Sequence, residues 1–596
     1  MVLHSSVGAN DSGLTYSGGG SVQGLWRRPN PIAYLVSGRH EHDDGNRDNN
    51  GSDHQALQVQ LGSSFREQSH NLLFNLTAQH FDQQLPGTRI DNDPDDDRTD
   101  ELLFADLGYS FRINQRNRIM VRVAGGYEET RFANGSPFGR GLSRVEYSLF
   151  GRYGLAASAF FNRVGLYDFT PLRTGGFEGV STILVAGADA QFFCGGLFAA
   201  PCPPDKLTFG GQYDFDSTVN ETLNVNKRQF QLRHLLDLGP VEFTYGAEYA
   251  RFGQHTVSNA IIPRASGGMG YLFAFTPPQR NCPHPCLFNG PDFDRFAPID
   301  PVQQRFSQSN SADAIEAYVQ ARWKINSSLW LEGGAFYRDI DLGEDEKQQI
   351  DPRVGLAWRI TPQHWLRISS QSALIDPLRT QDTLAPVATV GTVIPDEIFI
   401  TVSNTLAATW YHQLRWDAQW SPRFYTFVQL DRQDIEDFAL GSAPESRYAI
   451  HGPFLDGRLD TVSFGSNVWL GERLGLSASY KYLWAAPTSV RFFDLKLSGL
   501  DLPLIPEQEF HSRLVWVHPR AVTLGLTGDY VGQRAGGPFN GDPLAAYWTA
   551  GAYANWQPFA RHLSLTLENL LDADYELAAD FPGVGRSVLF SAEYRF

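Results

Sequence analysis

The stretch that decides the fold is HLSLTLENLLDADYELAADFPGVGRSVLFSAEYRF, from His562 to Phe596. Leu563, Leu565 and Leu567 alternate with Ser564, Thr566 and Glu568. After a long connection, Val588, Phe590, Ala592 and Tyr594 alternate with Leu589, Ser591, Glu593 and Arg595. A period of two puts successive side chains on opposite faces of a strand, so each run has one apolar face and one mostly polar face. The chain then stops on Phe596 with no polar tail. A soluble sandwich has little use for such an ending. A membrane barrel does, because its last strand closes against its first.

Working outward, the same rhythm of strand, short turn, strand, long loop covers most of the chain. Leu57, Val59, Leu61 and Phe65 share a face, then Leu72, Phe74, Leu76 and Ala78, then Leu103, Ala105, Leu107, Tyr109 and Phe111. Further strands are read at Val145–Leu149 and from Leu155 to about Tyr167. The rhythm continues through Val241–Tyr249, Ile315–Trp323 and Leu329–Tyr337, and on to Trp548–Trp556, where a Trp near each end brackets small residues. Rings at both ends of a strand suit two interfacial girdles around a lipid band. The count is about 22 strands, with short turns on one side and long loops on the other, and 22 is the size of barrels with a plugged lumen. The fold class expected is all-β, a transmembrane antiparallel barrel over residues 31–596. Met1 to Asn30, rich in Gly and Ser, is expected to be a flexible lead-in or the remnant of an upstream plug.

Composition agrees with a barrel and excludes other classes. Of 596 residues, 13% are aromatic, 56 are Gly and 3 are Met. No run approaches the ~18 consecutive apolar residues of a transmembrane helix, but a barrel strand needs only ~9–11 and shows alternate ones to lipid. A mean hydropathy of −0.30 is therefore compatible with membrane insertion. The net charge of −17 argues against nucleic acid as a partner, whose footprint is a basic patch. Four cysteines form two local pairs, Cys194 with Cys202 and Cys282 with Cys286. Zinc needs convergent ligands, whereas two separate disulfides that stiffen loops suit an oxidising compartment. No metal and no cofactor is expected. The opening MVLHSSVGANDSG lacks a basic and apolar secretory leader, so an N-terminal part is expected to be missing from this chain.

ENLLDADY, FPGVGR and the terminal YRF resemble the C-terminal signature of TonB-dependent outer-membrane receptors. The matching positions are Glu568, Asn569, Leu570, Asp572, Tyr575, Pro582, Gly583, Gly585, Arg586, Tyr594 and Phe596. DPRVGLAWRITPQHWLRISSQSALIDP, Asp351 to Pro377, is similar to a mid-barrel hairpin of the same family. The resemblance implies an integral protein of the bacterial outer membrane that takes up a large, scarce nutrient of the siderophore, cobalamin or oligosaccharide class. Its implied partners are outer-membrane lipid and the barrel-assembly machinery, which acts through the C-terminal strand. TonB is a partner only if a plug is supplied, since neither a plug nor a TonB-contacting segment can be placed in the first thirty residues. The alternatives are a plugless passive or export pore of the exopolysaccharide-porin type, and a scaffold that binds ligands at the surface.

No Walker loop, HExxH or GxSxG context stands at a strand-to-helix junction, so no catalytic residues are assigned and an enzyme is not expected. Asp106, Glu146, Glu248, Glu316, Glu568 and Glu593, with Arg112, Arg144, Arg513 and Arg595, are expected to point into a wet lumen and pair there. His511 is expected on the same face as a solvated side chain. DNDPDDD (Asp91 to Asp97) has oxygen ligands but lacks the spacing of a calcium loop, so a solvated acidic loop is expected. The ligand site is assigned to no residue beyond the long outer loops and the lumen face. There Phe192, Phe193, Tyr271 and Phe275 either bind ligand or pack on one another.

Overall fold

The computed structural model describes residues 1–10, 13–26, 31–45, 49–66, 69–84, 97–135, 147–148, 208–209, 218–262, 302–341, 346–375, 383–393, 407–439, 454–492, 495–497, 505–534, 543–558, 561–578 and 581–596. Twenty-two strands form a closed antiparallel barrel. In chain order they are β1 (Val2–Asn10), β2 (Leu14–Trp26), β3 (Ile32–Asp43), β4 (Ser52–Phe65), β5 (His70–Gln84), β6 (Asp97–Asn114), β7 (Asn117–Gly135), β8 (Thr218–Asp237), β9 (Val241–Ile262), β10 (Val302–Lys324) and β11 (Leu329–Asp341). They continue as β12 (Glu346–Thr361), β13 (His364–Ile375), β14 (Ala407–Ser421), β15 (Phe424–Ala439), β16 (Phe454–Trp469), β17 (Leu474–Phe492), β18 (Gln508–His518), β19 (Val522–Val531), β20 (Tyr547–Trp556), β21 (Arg561–Glu568) and β22 (Ser587–Arg595). Each pairs with its sequence neighbour. The last also pairs with the first, from Val2↔Arg595 to Asn10↔Ser587. The Phe596 N–H donates to the Met1 carbonyl at 3.0 Å, which extends the seam by one more bond.

Closure is what the bilayer demands. Hydrocarbon offers no partner for a backbone N–H or C=O, so a spanning sheet must have no free edge. The outer face then has to be apolar. On β6, Leu103, Ala105, Leu107, Tyr109 and Phe111 pair across β7 with Tyr127, Gly125, Val123, Val121 and Ile119, and Leu103, Leu107 and Val123 are among the most exposed apolar side chains. That run spans about 26 Å along the strand and roughly 20 Å after a barrel tilt, close to the ~25 Å apolar band of outer-membrane barrels. Exposed indoles mark its lower edge at the short-turn ends of strands: Trp26, Trp323, Trp358, Trp420, Trp516 and Trp556. Trp410, Trp484 and Trp548 stand toward the long-loop side. Short turns such as residues 115–116, 362–363 and 422–423 and both termini share one rim, and the longest connections leave the other. Strands β9 and β10 reach 22 and 23 residues, about twice what a span needs, so this wall rises well above the band.

Two expectations about strands are corrected. Met1 to Asn30 is not a lead-in, because it supplies β1 and β2 and with them the closing seam. Leu14, Tyr16, Val22 and Trp26 do alternate, but Gly18, Gly20 and Gly24 occupy the same outward face and erase the signal. Gly24 has a structural reason, since a Cβ there would meet the Tyr34 ring, which lies over it 2.4–2.7 Å from that position. The wall passes directly from β7 to β8, for example Val121↔Leu232, without a strand from Tyr147–Ser148, the described part of the strand read near Val145–Leu149. Tyr147–Ser148 instead forms a separate small ladder with Thr208–Phe209, and Leu155 to Tyr167 lies outside the described residues. The expected total of about 22 strands stands.

Leu107 lies near the middle of the band and Gln58 faces the lumen from β4. Leu107→Arg should destabilise the barrel by about 2–4 kcal/mol, while Gln58→Arg should be nearly neutral. Reversible unfolding in lipid vesicles, followed by tryptophan fluorescence, would measure both.

Candidate functional site in the lumen

The inner face inverts the outer one, and its charges are paired across neighbouring strands. Arg338 on β11 donates to Glu316 on β10 at 2.5 Å and to Asp351 on β12 at 3.0 Å. Asp351 also accepts from Gln349 and Ser372. Arg122 on β7 and Asn75 on β5 both donate to Asp106 on β6. Farther round, Arg415 and Arg367 share Asp417 at 2.9 and 2.6 Å, and Gln413 and Tyr411 share Asp431. Two guanidiniums also lie over rings, Arg353 over Phe336 at 3.7 Å and Arg415 over Phe427 at 3.9 Å.

A segment of the long connection between β13 and β14, Thr383–Val393, lies against this wall. The Thr383 hydroxyl donates to Glu248 at 2.6 Å. Gln231 accepts from the Leu384 N–H at 3.2 Å, and Arg233 donates to the Leu384 carbonyl at 3.0 Å. Arg353 donates to the Pro386 carbonyl at 2.6 Å. Glu332 accepts from the Val390 N–H, and Gln413 holds both the N–H and the carbonyl of Val393. Ala385 packs with Tyr318 and Phe336. Side chains of six strands, β8, β9, β10, β11, β12 and β14, converge on eleven residues, which only the concave face of a barrel allows. The tip is a tight turn in which the Thr392 N–H donates to the Thr389 carbonyl, and the two threonine hydroxyls bond at 2.9 Å.

The other side of the lumen is different. The inward positions of β21, β22, β1 and β2 include Ser564, Ser591, Ser6 and Ser17, cross-strand neighbours with short hydroxyl side chains, and Thr527 on β19 faces Gly551 on β20. Among the described residues, the in-folded segment lies on one half of the wall, and the other half carries this serine row beside longer inward groups such as Arg513, Glu568, Glu593 and Arg595.

The C-terminal motif organises the last long loop. Asn569 and Asp572 sit at φ +46° and +55°, a region that Asn and Asp tolerate. The Asn569 amide donates to the Ala573 and Val584 carbonyls and accepts from the Ala573 N–H, tying the two limbs of the loop together. The Gly583 N–H bonds the Tyr575 carbonyl, and a Cβ at Gly583 would strike the Tyr575 ring, which stacks on Tyr547 at 4.3 Å. Leu570 donates its N–H to the Ala550 carbonyl. Pro582 pairs with Glu576, Gly585 lies in the returning limb before Arg586, and Tyr594 and Phe596 meet edge to face at the seam. Arg586 pairs with Asp572 and holds its carboxyl below the usual range.

The expected lumen residues Asp106, Glu248, Glu316, Glu568, Glu593, Arg112, Arg513 and Arg595 take inward register positions. The first three are in the networks above, and Glu593 pairs with Arg595. His511 faces Asp529 at 2.8 Å and is exposed. Arg144, Glu146, Cys194, Cys202, Cys282, Cys286, Phe192, Phe193, Tyr271, Phe275 and Asp91 to Asp96 lie outside the described residues, while Asp97 opens β6. The in-folded segment was not anticipated. Its signal is compositional: TLAPVATVGTV carries no charge, although it lies in a long loop of a chain in which 19% of residues are charged.

Solved structures with the same architecture exist. The siderophore receptor PiuA from Acinetobacter baumannii matches all of this chain and 81% of its own at 12% identity and TM-score 0.60. The chain has the fold of the TonB-dependent receptor barrel. The ferric yersiniabactin uptake receptor FyuA from Yersinia pestis matches at 10% identity and TM-score 0.63, covering all of this chain and 79% of its own. The ferric citrate transporter FecA in its unliganded form matches at 11% and 0.61, covering all of this chain and 78% of its own. No family model and no curated protein matches the sequence. At such identities the likeness is one of fold.

Two outcomes follow from the site. Arg338→Ala strands two buried carboxylates and should cost about 3–5 kcal/mol, part of which is regained when Asp351→Asn is added; denaturant unfolding of the refolded barrel reads both. The Asp572–Arg586 pair supports the last loop above the ordinary carboxylate range and is lost as pH falls through the lowered value of Asp572. Limited proteolysis of that loop should therefore quicken on acidification, and in Asp572→Asn it should already be fast at neutral pH.

Proposed function

We propose that this barrel takes up a large, scarce nutrient of the siderophore, cobalamin or oligosaccharide class across the outer membrane. The observation that carries the reading is the wide lumen of a 22-strand barrel whose wall is dense in paired charges, amides and hydroxyls, with one outer loop folded into it. Small solutes do not need a lumen of this width. A large polar ligand does, and it can exchange hydrogen bonds with such a wall along its route. The similarity of fold to proteins named as siderophore, ferric yersiniabactin and ferric citrate carriers supports the reading. Energy from TonB enters if a plug accompanies the barrel.

A second reading is a passive or export pore. The serine row from β21 through β22 and β1 to β2 favours it, because it leaves a hydrophilic route beside the in-folded segment.

Uptake of labelled ferric siderophores, cobalamin and oligosaccharides by host cells that express the chain and lack their own outer-membrane receptors and porins separates the two. Saturable uptake of one ligand is expected of the first reading, abolished by collapsing the proton gradient where a plug accompanies the barrel. Flux linear in concentration and indifferent to the gradient would instead establish the pore. No flux of any kind would leave the barrel as a surface scaffold.

A further inference from the structure

The in-folded segment combines four observations that a loop packed at random would not. It is held through its backbone: Arg233, Arg353 and Gln413 donate to its carbonyls, while Gln231, Glu332 and Gln413 accept from its N–H groups. It reaches deep, because Glu332 lies three residues from the short-turn end of β11 and Arg233 four from that of β8, whereas the segment belongs to a long-loop connection. It is seated backbone against backbone. A Cβ at Gly355 on β12 would fall 2.5 Å from the Thr389 Cβ, and one at Gly391 would fall 1.9 Å from the Ile368 carbonyl oxygen. Finally, it is uncharged throughout, and its one strongly exposed apolar side chain is Val387, at 55%.

We infer that Thr383–Val393 is the constriction that selects solutes in this lumen, with Val387 as the side chain that passing solute meets. This rests on the transport reading only in that something must pass. The wall charges that grip the segment are spent on its peptide groups or on each other, and the segment adds none. The narrowest level therefore sorts by size and by tolerance of an apolar contact, and only weakly by charge. Solute passes between Val387 and the facing wall, where Ser564, Ser591, Ser6 and Ser17 run across β21, β22, β1 and β2. Glycine at 355 and 391 is required because any larger side chain would lift the segment off its seat.

The test uses the full chain refolded into planar bilayers, with single-channel conductance, reversal potential across a KCl gradient and the size cut-off for polyethylene glycols as readouts. Heat-modifiable migration confirms the fold of each variant. Gly355→Leu, at the wall, and Gly391→Leu, in the segment, should each raise conductance by at least about twofold and admit larger polymers. Val387→Asp should leave conductance near that of the parent and make the channel cation-selective. A parent with no conductance and Leu variants that conduct would also support the constriction. The inference is overturned if both Leu variants match the parent in conductance and cut-off, or if Val387→Asp leaves the reversal potential unmoved. These readouts do not depend on a nutrient: failure of ligand uptake with this bilayer pattern intact would sink the transport reading and spare the constriction.

Discussion

The hydrogen bond that a peptide group cannot leave unmade in hydrocarbon is the constraint behind the rest of this molecule. An unpaired N–H or C=O in the bilayer costs several kcal/mol, and a sheet edge would present a row of them. The ladder therefore runs through all 22 strands and returns on itself at Val2↔Arg595. Once the sheet is closed, a strand has one face to lipid and one to the lumen, which is why Leu103 to Phe111 on β6 alternates so regularly. The same closure accounts for the indoles at the short-turn rim, where a ring can be apolar on one side and wet on the other.

Inside, the physics is of a different kind. Among the described residues there is no broad apolar core. Phe336, Tyr318 and Ala385 form a small one, and most of the remaining inward surface is held by charge and hydrogen bond. Arg338 between Glu316 and Asp351 shows the logic. Each carboxylate would be costly alone in a narrow, partly dehydrated space, and a guanidinium with its planar fork can satisfy two at once. The in-folded segment is bound by the same means. It has no charge to pair, so the wall addresses its peptide groups, much as one strand addresses another, but through side chains.

Legibility from sequence follows from where each feature gets its cause. The outer face was readable because lipid imposes a local rule with period two, and the C-terminal motif because its parts act on residues a few positions away, as Asn569 does on Ala573. Where that local rule is interrupted, reading failed: three glycines on the outward face of β2 hid a strand. The in-folded segment depends on partners more than a hundred residues away, such as Gln231 for Leu384, and nothing at the segment itself encodes where that wall will be. The expected inward charges were legible one by one, but their pairing was not, since register between strands decides who faces whom.

The seam also says something about time. Every other wall contact joins strands adjacent in the chain, and such pairs can form as hairpins. The pairing of β1 with β22 joins residues at opposite ends of the chain, and it is made by strands of only nine residues each. It thus combines the greatest loop-closure entropy in the molecule with one of the shortest ladders to offset it. Until the last nine-residue strand is in place, the sheet is a curled ribbon with two adhesive margins. Aggregation through those margins competes with barrel formation for as long as the ribbon persists.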